Sequence, residues 1–159
     1  LVEVRYSLAD RHIEDDLLPA ARELGVGIVA FGVLLSGLIG GSSQEEKLKS
    51  IGQRISPEAL ATMKANLART DALKQIAVEK GATLAQLAIA WVLAQGEDII
   101  ALVGSRTASQ IKDTIQALNV KLTKEDLDRI DRIMPKEEAT SSYMLDVDID
   151  SKGLFHAKQ

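Results

Sequence analysis

The chain has 159 residues, of which 46% are hydrophobic and 26% are charged, so it can bury the core of one ordinary domain and is not a disordered tail. Its net charge of −4, with acids and bases interspersed, leaves no basic face for phosphate backbones and argues against nucleic-acid binding. The absence of cysteine excludes disulfides and thiolate metal sites and permits a reducing compartment.

The membrane and targeting signals in the sequence are weak. The longest apolar run, residues 28–39, is interrupted by glycine and is too short to cross a bilayer. No basic stretch leads into an apolar core at the start of the sequence. We therefore expect a soluble, cytoplasmic chain with no membrane partner.

The first third of the chain predicts two strands around one helix. Residues 1–5 are typical of a strand. Apolar residues at helical spacing predict a helix from His12 to Leu24, with Pro19 either kinking it or marking a late start. Residues 27–31 predict a strand buried on both faces, which opens into a glycine-rich loop over residues 32–41 and then a polar connector.

The rest of the chain alternates in the same way. Ser56 and Pro57 are typical of a helix start, and helical spacing continues to Gly81 with a break near Thr70 and Asp71. Four further elements follow: a helix capped by Thr83, a buried strand at Ile99–Val103, and helices at Ser109–Leu118 and from Thr123 to Met134. This alternation predicts βαβ units with a parallel sheet, whose three strands are too few to close a barrel and leave an open edge.

Motifs taken alone give limited functional information. Gly25–Ala30 matches the dinucleotide pattern G-x-G-x-x-A, but it follows a helix and runs into a strand, which argues against a Rossmann site. Gly104-Ser105-Arg106 follows a buried strand and precedes a helix, so amides, a hydroxyl and a guanidinium converge where a phosphate could lie. His12 and His156 have no metal-ligand or triad spacing, so we predict no metal site.

Several segments together resemble the aldo-keto reductase family. They are Tyr6–Arg11, Leu18–Gly27, Ala85–Leu93, Val103–Arg106 and the capped final helix, in the order and close to the spacing of that family. The resemblance implies an α/β fold, the C-terminal portion of a (β/α)8 TIM barrel in which parallel strands alternate with helices. Residues 1–134 would be the C-terminal half of the barrel with its NADP-binding elements, and residues 135–159 a tail.

The resemblance also implies which residues bind NADP (NADPH). Phe31 falls where the family usually has a Tyr stacked on the nicotinamide, and Glu3 where it has a Gln that bonds the nicotinamide amide. Leu34, Ser36 and Gly37 lie in the loop that wraps the pyrophosphate, although Val33-Leu34-Leu35 departs from the usual Pro-Leu-Gly of the family.

The adenosine end is implied by a second segment. Gly104, Ser105 and Arg106 match the segment that contacts the 2′-phosphate, where a guanidinium favours NADPH over NADH. Gln110, Asp113 and Thr114 fall where the family commonly has a basic or polar residue, a Glu and an Asn. The adenine contacts are therefore expected to be weaker than is usual in the family.

The family's catalytic Asp, Tyr, Lys and His come from the first half of the barrel, and none of these positions exists in these 159 residues. We name no catalytic residue. The leading hypothesis is a NADP-dependent oxidoreductase that reduces aldehydes or ketones by hydride transfer. The chain alone would be inactive, and it would bind a small carbonyl substrate once an N-terminal half completes the barrel. The alternative is a non-enzymatic half-barrel that binds a nucleotide weakly or associates with protein through its exposed sheet edge.

Overall fold

The computed structural model describes residues 1–39, 44–53, 55–139, 147–149 and 155–157. Three strands, β1 (Val2–Arg5), β2 (Ile28–Phe31) and β3 (Ile99–Ala101), form a parallel sheet in the order β1-β2-β3. Val2 lies opposite Ile28, which in turn lies opposite Ile99. The predicted parallel sheet with helical crossovers is therefore confirmed.

Seven helices accompany this sheet within the described residues: α1 (Leu17–Glu23), α2 (Gln44–Gly52), α3 (Pro57–Ala72), α4 (Lys74–Glu79), α5 (Leu84–Ala94), α6 (Ala108–Ile115) and α7 (Lys124–Ile133). Short 3-10 turns lie at His12–Glu14, Leu35–Gly37, Gln116–Asn119 and Lys136–Glu138. Near the C-terminus β4 (Val147–Ile149) and β5 (Phe155–Ala157) form an antiparallel pair. No single described helix is long and apolar enough to cross a membrane, and one pair, Pro57–Glu79 with Leu84–Ala94, meets that requirement only jointly and across a bend of 88°.

One described helix was not predicted, and two predicted helices differ in detail. The helix predicted from His12 begins at Leu17, the late start that Pro19 indicated, and Pro19 lies in its first turn, where its missing N–H has no intrahelical acceptor to lose. The predicted polar connector contains α2, whose Leu48 and Ile51 pack on the core at helical spacing. The break predicted near Thr70 and Asp71 lies at Leu73, between α3 and α4.

The sheet has one covered face and one open face. The covered face carries side chains that meet in register and pack with the helices: Val2, Val4, Ile28, Ala30, Ile99 and Ala101. α5 is buried on most of its surface, including Leu87, Trp91 and Val92, as is expected of a helix that is apolar all round.

The other face consists of the alternate residues of each strand. It carries Glu3 and Arg5 from β1, Val29 and Phe31 from β2, and Ile100 from β3. The prediction that β2 and β3 are buried on both faces is wrong, because Ile100 is 53% exposed and Val29 and Phe31 are only half-buried. The described residues supply one layer of helices, and that layer covers one face of the sheet.

Candidate functional site

The two loops that carry most of the predicted site residues leave the carboxyl end of the sheet. In a parallel sheet the carboxyl ends of all strands meet at the same edge, and ligands of such sheets bind there. The loops that follow β2 and β3 both leave from this edge, and these strands are hydrogen-bonded neighbours. The structure thus brings the two predicted coenzyme segments, one after Phe31 and one after Val103, to the same side of the molecule.

Phe31 and Glu3 lie on the open face of the sheet. Phe31 is half-buried, and Glu3 is exposed on the neighbouring strand, opposite Val29. The guanidinium carbon of Arg5 lies 5.4 Å from the centroid of the Phe31 ring. A half-exposed aromatic ring on an uncovered sheet can present a flat surface to another ring. The position of Phe31 is therefore compatible with nicotinamide stacking.

The loop after β2 is shaped by residues with positive φ. Gly32 has a φ of 72° and Gly37 a φ of 79°, and the Gly37 N–H donates to the Leu34 carbonyl over 2.9 Å. Leu34 is half-buried and packs against the core. Ser36 lies in the 3-10 turn between Leu35 and Gly37, and its side chain is outside the described part of the structure. Glycines at these positions let the backbone take a tight path that a phosphate can approach.

Leu35 occupies the last position of the segment where the family usually has Pro-Leu-Gly. Its φ is 51°, in the left-handed region that glycine adopts freely. A leucine there costs about 1–2 kcal/mol of backbone strain. Its side chain is only 6% exposed, so burial offsets that cost. Leu35 therefore has a backbone conformation that glycine, the usual residue of the family at this position, adopts without strain.

The loop after β3 leads directly into the N-terminus of α6. Thr107 caps this helix by accepting from the Gln110 N–H over 3.2 Å, and the Gln110 side-chain oxygen accepts from the Arg106 N–H over 2.8 Å. Gly104 and Arg106 are exposed and Ser105 is half-buried. The positive end of the α6 dipole therefore lies beside the Arg106 side chain, an arrangement that favours a phosphate group.

Arg106 fits the role of a phosphate ligand. Within the described residues its guanidinium forms no ion pair or hydrogen bond, so its donors are available to an anion. Arginine binds phosphate with two parallel hydrogen bonds, which lysine cannot reproduce. The residues present therefore fit the 2′-phosphate of NADP at this position.

The remaining predicted adenine residues make protein contacts. Gln110 holds the Arg106 backbone, as described above. The Gln86 side-chain amide of α5 donates to both the carboxylate and the carbonyl of Asp113, over 2.8 and 3.1 Å. Thr114 is half-buried. Asp113 therefore joins α6 to α5. The sequence did not reveal this contact, because the two residues lie 27 positions apart on different helices.

Tyr6, the tyrosine within the described residues, is unsuited to act as a general acid. Tyr6 is fully buried and donates to Glu14 over 2.8 Å. Burial, followed by the Glu14 carboxylate, raises the pKa of Tyr6 far above its usual value, so the hydroxyl keeps its proton. No group of three or more His, Cys, Asp or Glu side chains in the described chain could hold a metal ion.

Sequence reasoning missed a set of polar residues around the end of β1. Asp10 is 1% exposed and pairs with the Nδ1 atom of His12 over 2.5 Å, and its other carboxylate oxygen lies 3.8 Å from Arg5 Nε. The sequence contains one indication that Arg5 belongs to the candidate site, because strand alternation places it on the same face as Glu3. The contact of Asp10 with both His12 and Arg5 depends on how the chain turns after β1.

Comparisons with known proteins agree with this geometry. The family model described as "Aldo/keto reductase family" matches residues 1–135. The uncharacterized oxidoreductase YrpG of Bacillus subtilis (strain 168) is 39% identical over 132 residues, which are 82% of this chain and 39% of that protein. The probable aldo-keto reductase 1 of Glycine max is 37% identical over 139 residues, 84% of this chain and 39% of that protein. The chain thus spans 39% of the length of these curated relatives.

Solved structures show the same fold. A Klebsiella pneumoniae aldo-keto reductase in complex with NADPH is 24% identical with a TM-score of 0.59, over 84% of this chain and 38% of that one. The glycerol dehydrogenase AKR11B4 of Gluconobacter oxydans is 27% identical with a TM-score of 0.66, over 82% of this chain and 41% of that one. The three parallel strands with their helices therefore form part of an α/β TIM barrel. The division into residues 1–134 and a tail stays a prediction.

Proposed function

Since this chain belongs to the aldo/keto reductase family, we propose that it supplies the NADP-binding portion of an oxidoreductase that reduces aldehydes or ketones. The observation that carries the proposal is the arrangement of side chains at the carboxyl end of the sheet. A half-exposed aromatic ring on the open face and an unengaged guanidinium beside a helix N-terminus lie on the same side of the molecule. The proposal includes the cytoplasmic location predicted from composition.

Three parts of the coenzyme have residues of matching chemistry. Phe31 offers a ring surface for the nicotinamide, and Glu3 lies on the same face near the position of its amide group. In the loop over Gly32–Gly37, the two glycines leave the backbone uncovered by side chains, and the pyrophosphate can approach it there. Arg106 and the N-terminus of α6 provide positive potential for the 2′-phosphate.

The chemistry is divided between this chain and the segment that completes the barrel. When bound, NADPH supplies a hydride to the carbonyl carbon. The residues of this chain orient the coenzyme and exclude water from one side of the nicotinamide. Tyr6 does not supply the proton for the developing alkoxide, because it is buried and holds its proton. In this proposal that proton comes from the segment that completes the barrel. Residues 1–159 alone should therefore bind NADPH without turnover.

Titration of the purified chain with NADPH tests the proposal, with the fluorescence of the nucleotide as readout. We expect saturable binding that Arg106→Ala weakens about tenfold or more, since a hydrogen-bonded charge pair contributes about 1.5–3 kcal/mol. The variant should bind NADH as the parent chain does, because NADH has no 2′-phosphate. Arg132→Ala, at an exposed arginine of α7, is the matched control and should bind NADPH normally.

Two results would contradict the proposal. The first is absence of NADPH binding by the folded chain at millimolar nucleotide. The second is equal binding by the parent and Arg106→Ala. If the chain alone consumed NADPH with an aldehyde, the claim that the proton donor lies in another segment would be wrong, although coenzyme binding would stand.

One group of observations favours the second candidate, a non-enzymatic half-barrel that associates with protein. Glu3, Gln110 and Thr114 depart from the usual residues of the family, and the open face of the sheet carries the exposed apolar side chain of Ile100. Such a chain would bind NADPH weakly or not at all while still associating through its sheet edge. The titration above separates the two candidates.

A further inference from the structure

Arg5 is held in place by three contacts at the carboxyl end of β1. Its guanidinium lies over the Phe31 ring, with 5.4 Å from Cζ to the ring centroid. Its aliphatic stem runs along Gly32, where a Cβ atom would lie only 3.3 Å from Arg5 Cγ. Its Nε atom faces Asp10 Oδ2 at 3.8 Å. The absence of a side chain at position 32 therefore leaves room for the arginine to lie beside the ring.

These contacts position the guanidinium of Arg5 but leave its hydrogen-bond donors without acceptors in the described chain. The 3.8 Å separation from Asp10 is longer than a hydrogen bond, and Asp10 Oδ2 is buried without a hydrogen-bond partner in the described chain. Neither Nη1 nor Nη2 of Arg5 forms a hydrogen bond with any described residue. The Arg5 side chain is 30% exposed, so the guanidinium is reachable from solvent. A fixed arginine with unused donors is suited to bidentate binding of a carboxylate.

The sheet face that carries Arg5 is otherwise mostly apolar, and the Asp10–His12 pair lies beside it after the end of β1. Val29 and Phe31 lie on the neighbouring strand, and Ile100 follows on β3 in the same face. Glu3 is the other charged residue of this face, about 7 Å farther down the strand. An anion would therefore reach Arg5 from the carboxyl-end side, away from Glu3. An apolar surface with a few oriented polar groups is typical of small-molecule sites.

We propose that Arg5 binds the carboxylate of the carbonyl substrate, which makes oxo acids or carboxylated aldehydes the preferred substrate class. The carbonyl part of this assignment rests on the function proposed above, because Phe31, against which Arg5 packs, is the residue assigned to the nicotinamide. The anion site itself does not depend on the coenzyme. Arg5 is a specificity-determining residue in this scheme and takes no part in hydride or proton transfer.

The test compares benzoate with benzamide, which share a shape and differ in charge. Each is titrated into the 15N-labelled chain without nucleotide, and amide and arginine Nε resonances are followed. We expect benzoate to shift the resonances of Arg5, Phe31 and Gly32 and to bind at least tenfold more tightly than benzamide. Arg5→Met keeps the stem against Phe31 and should lose this preference, whereas Arg5→Lys should keep part of it.

The controls separate this proposal from the proposed function. Arg132→Met removes an exposed arginine of α7 and should leave benzoate binding unchanged. Equal binding of benzoate and benzamide, or unchanged benzoate binding by a folded Arg5→Met variant, overturns the anion site while the NADPH titration stands. A tenfold loss of NADPH affinity in Arg5→Met would assign the guanidinium to the coenzyme and would also overturn it. If NADPH fails to bind but benzoate binds through Arg5, the anion site stands and the coenzyme proposal falls.

Discussion

Arg11 is a buried cation that connects the segment after β1 to the last helix. Its side chain is 9% exposed, and it donates to Glu14 over 2.7 Å and to Asp131 over 2.7 Å. Its guanidinium also lies 5.0 Å from the centroid of the Trp91 ring. These partners belong to the turn after β1, to α7 and to α5. The Tyr6–Arg11 motif of the family therefore has a structural role here, since its last residue holds three parts of the fold together.

Arg11→Met should strongly destabilise the chain. The substitution removes the cation and leaves the largely buried carboxylate of Glu14 without its main partner, and breaking a buried pair in this way costs about 3–5 kcal/mol. Because Lys136 and the Tyr6 hydroxyl still reach Glu14, we expect the lower end of that range, about 3 kcal/mol. Urea unfolding followed by circular dichroism measures the change.

The matched control is Arg132→Met, which removes an exposed arginine from the same helix that carries Asp131. Surface substitutions of this kind usually change stability by less than about 0.5 kcal/mol. If Arg11→Met and Arg132→Met had equal effects, the contacts of Arg11 would contribute nothing beyond a surface charge.

At the scale of elements, the N-terminus of α7 is fixed by a capping box and an ion pair. Asp126 accepts from the Thr123 N–H over 2.7 Å and from its hydroxyl over 2.8 Å, and it pairs with Lys80, which follows α4. Burial alone would raise the pKa of Asp126, but the Lys80 ammonium and the Thr123 donors outweigh it. The pKa of this carboxyl is lowered to about 2.

This low pKa makes the position of α7 sensitive to acid. The folded-state pKa lies below the unfolded value of about 3.9, so the stabilisation is complete above that value and is lost as the pH falls toward 2. Asp126→Asn should cost about 2 kcal/mol at pH 7 and flatten the dependence of unfolding free energy on pH between about 4 and 2. Urea unfolding at a series of pH values measures both effects.

Asp128→Asn, on the exposed side of α7, provides the comparison. It should change the unfolding free energy at pH 7 by less than about 0.5 kcal/mol. A parent chain and an Asp126→Asn variant with parallel pH dependence would show that Asp126 does not carry the acid sensitivity.

Elements with local boundary signals were predictable from the sequence, and others were not. Thr83 and Thr123 both begin helices with complete capping boxes, as their side chains indicated. α2 was missed because its mean composition is polar and only Leu48 and Ile51 mark its buried side. The open face of the sheet was also missed, because apolar strand residues such as Ile100 do not show whether a second layer covers them.

The candidate site was likewise predictable from the sequence only in part. The strand and loop positions of Phe31, Gly37 and Arg106 could be predicted, because the resemblance fixes them and the elements follow in the expected order. The contacts of Arg5 with Asp10, and of Asp113 with Gln86, could not be predicted. They depend on the turn after β1 and on helix packing, which local sequence patterns do not encode.

At the scale of the molecule, the described chain leaves apolar surface uncovered. β1 and β3 each pair with β2 on one side only within the described residues, so the sheet has two free parallel edges. α6 and the 3-10 turn that follows it carry a stripe of half-exposed side chains, with Ile111 at 50%, Ile115 at 52% and Leu118 at 60% exposure. Ile100 and Leu102 are about as exposed, at 53% and 47%. Apolar surface next to a free strand edge is typical of a region that other protein covers.

We therefore expect residues 1–159, studied without any further segment, to self-associate at micromolar concentration. Covering the two isoleucines of α6 alone should contribute about 1 kcal/mol or more for each, since each would bury roughly half of an isoleucine side chain. The variant Ile111→Lys with Ile115→Lys places two charges on the stripe and should raise the dissociation constant of self-association at least tenfold.

The control is Val78→Lys, at a residue of α4 that is 71% exposed, which should leave the association unchanged. Sedimentation velocity over a hundredfold concentration range makes the measurement, and a parent chain that stays monomeric throughout would show that these exposed side chains do not drive assembly.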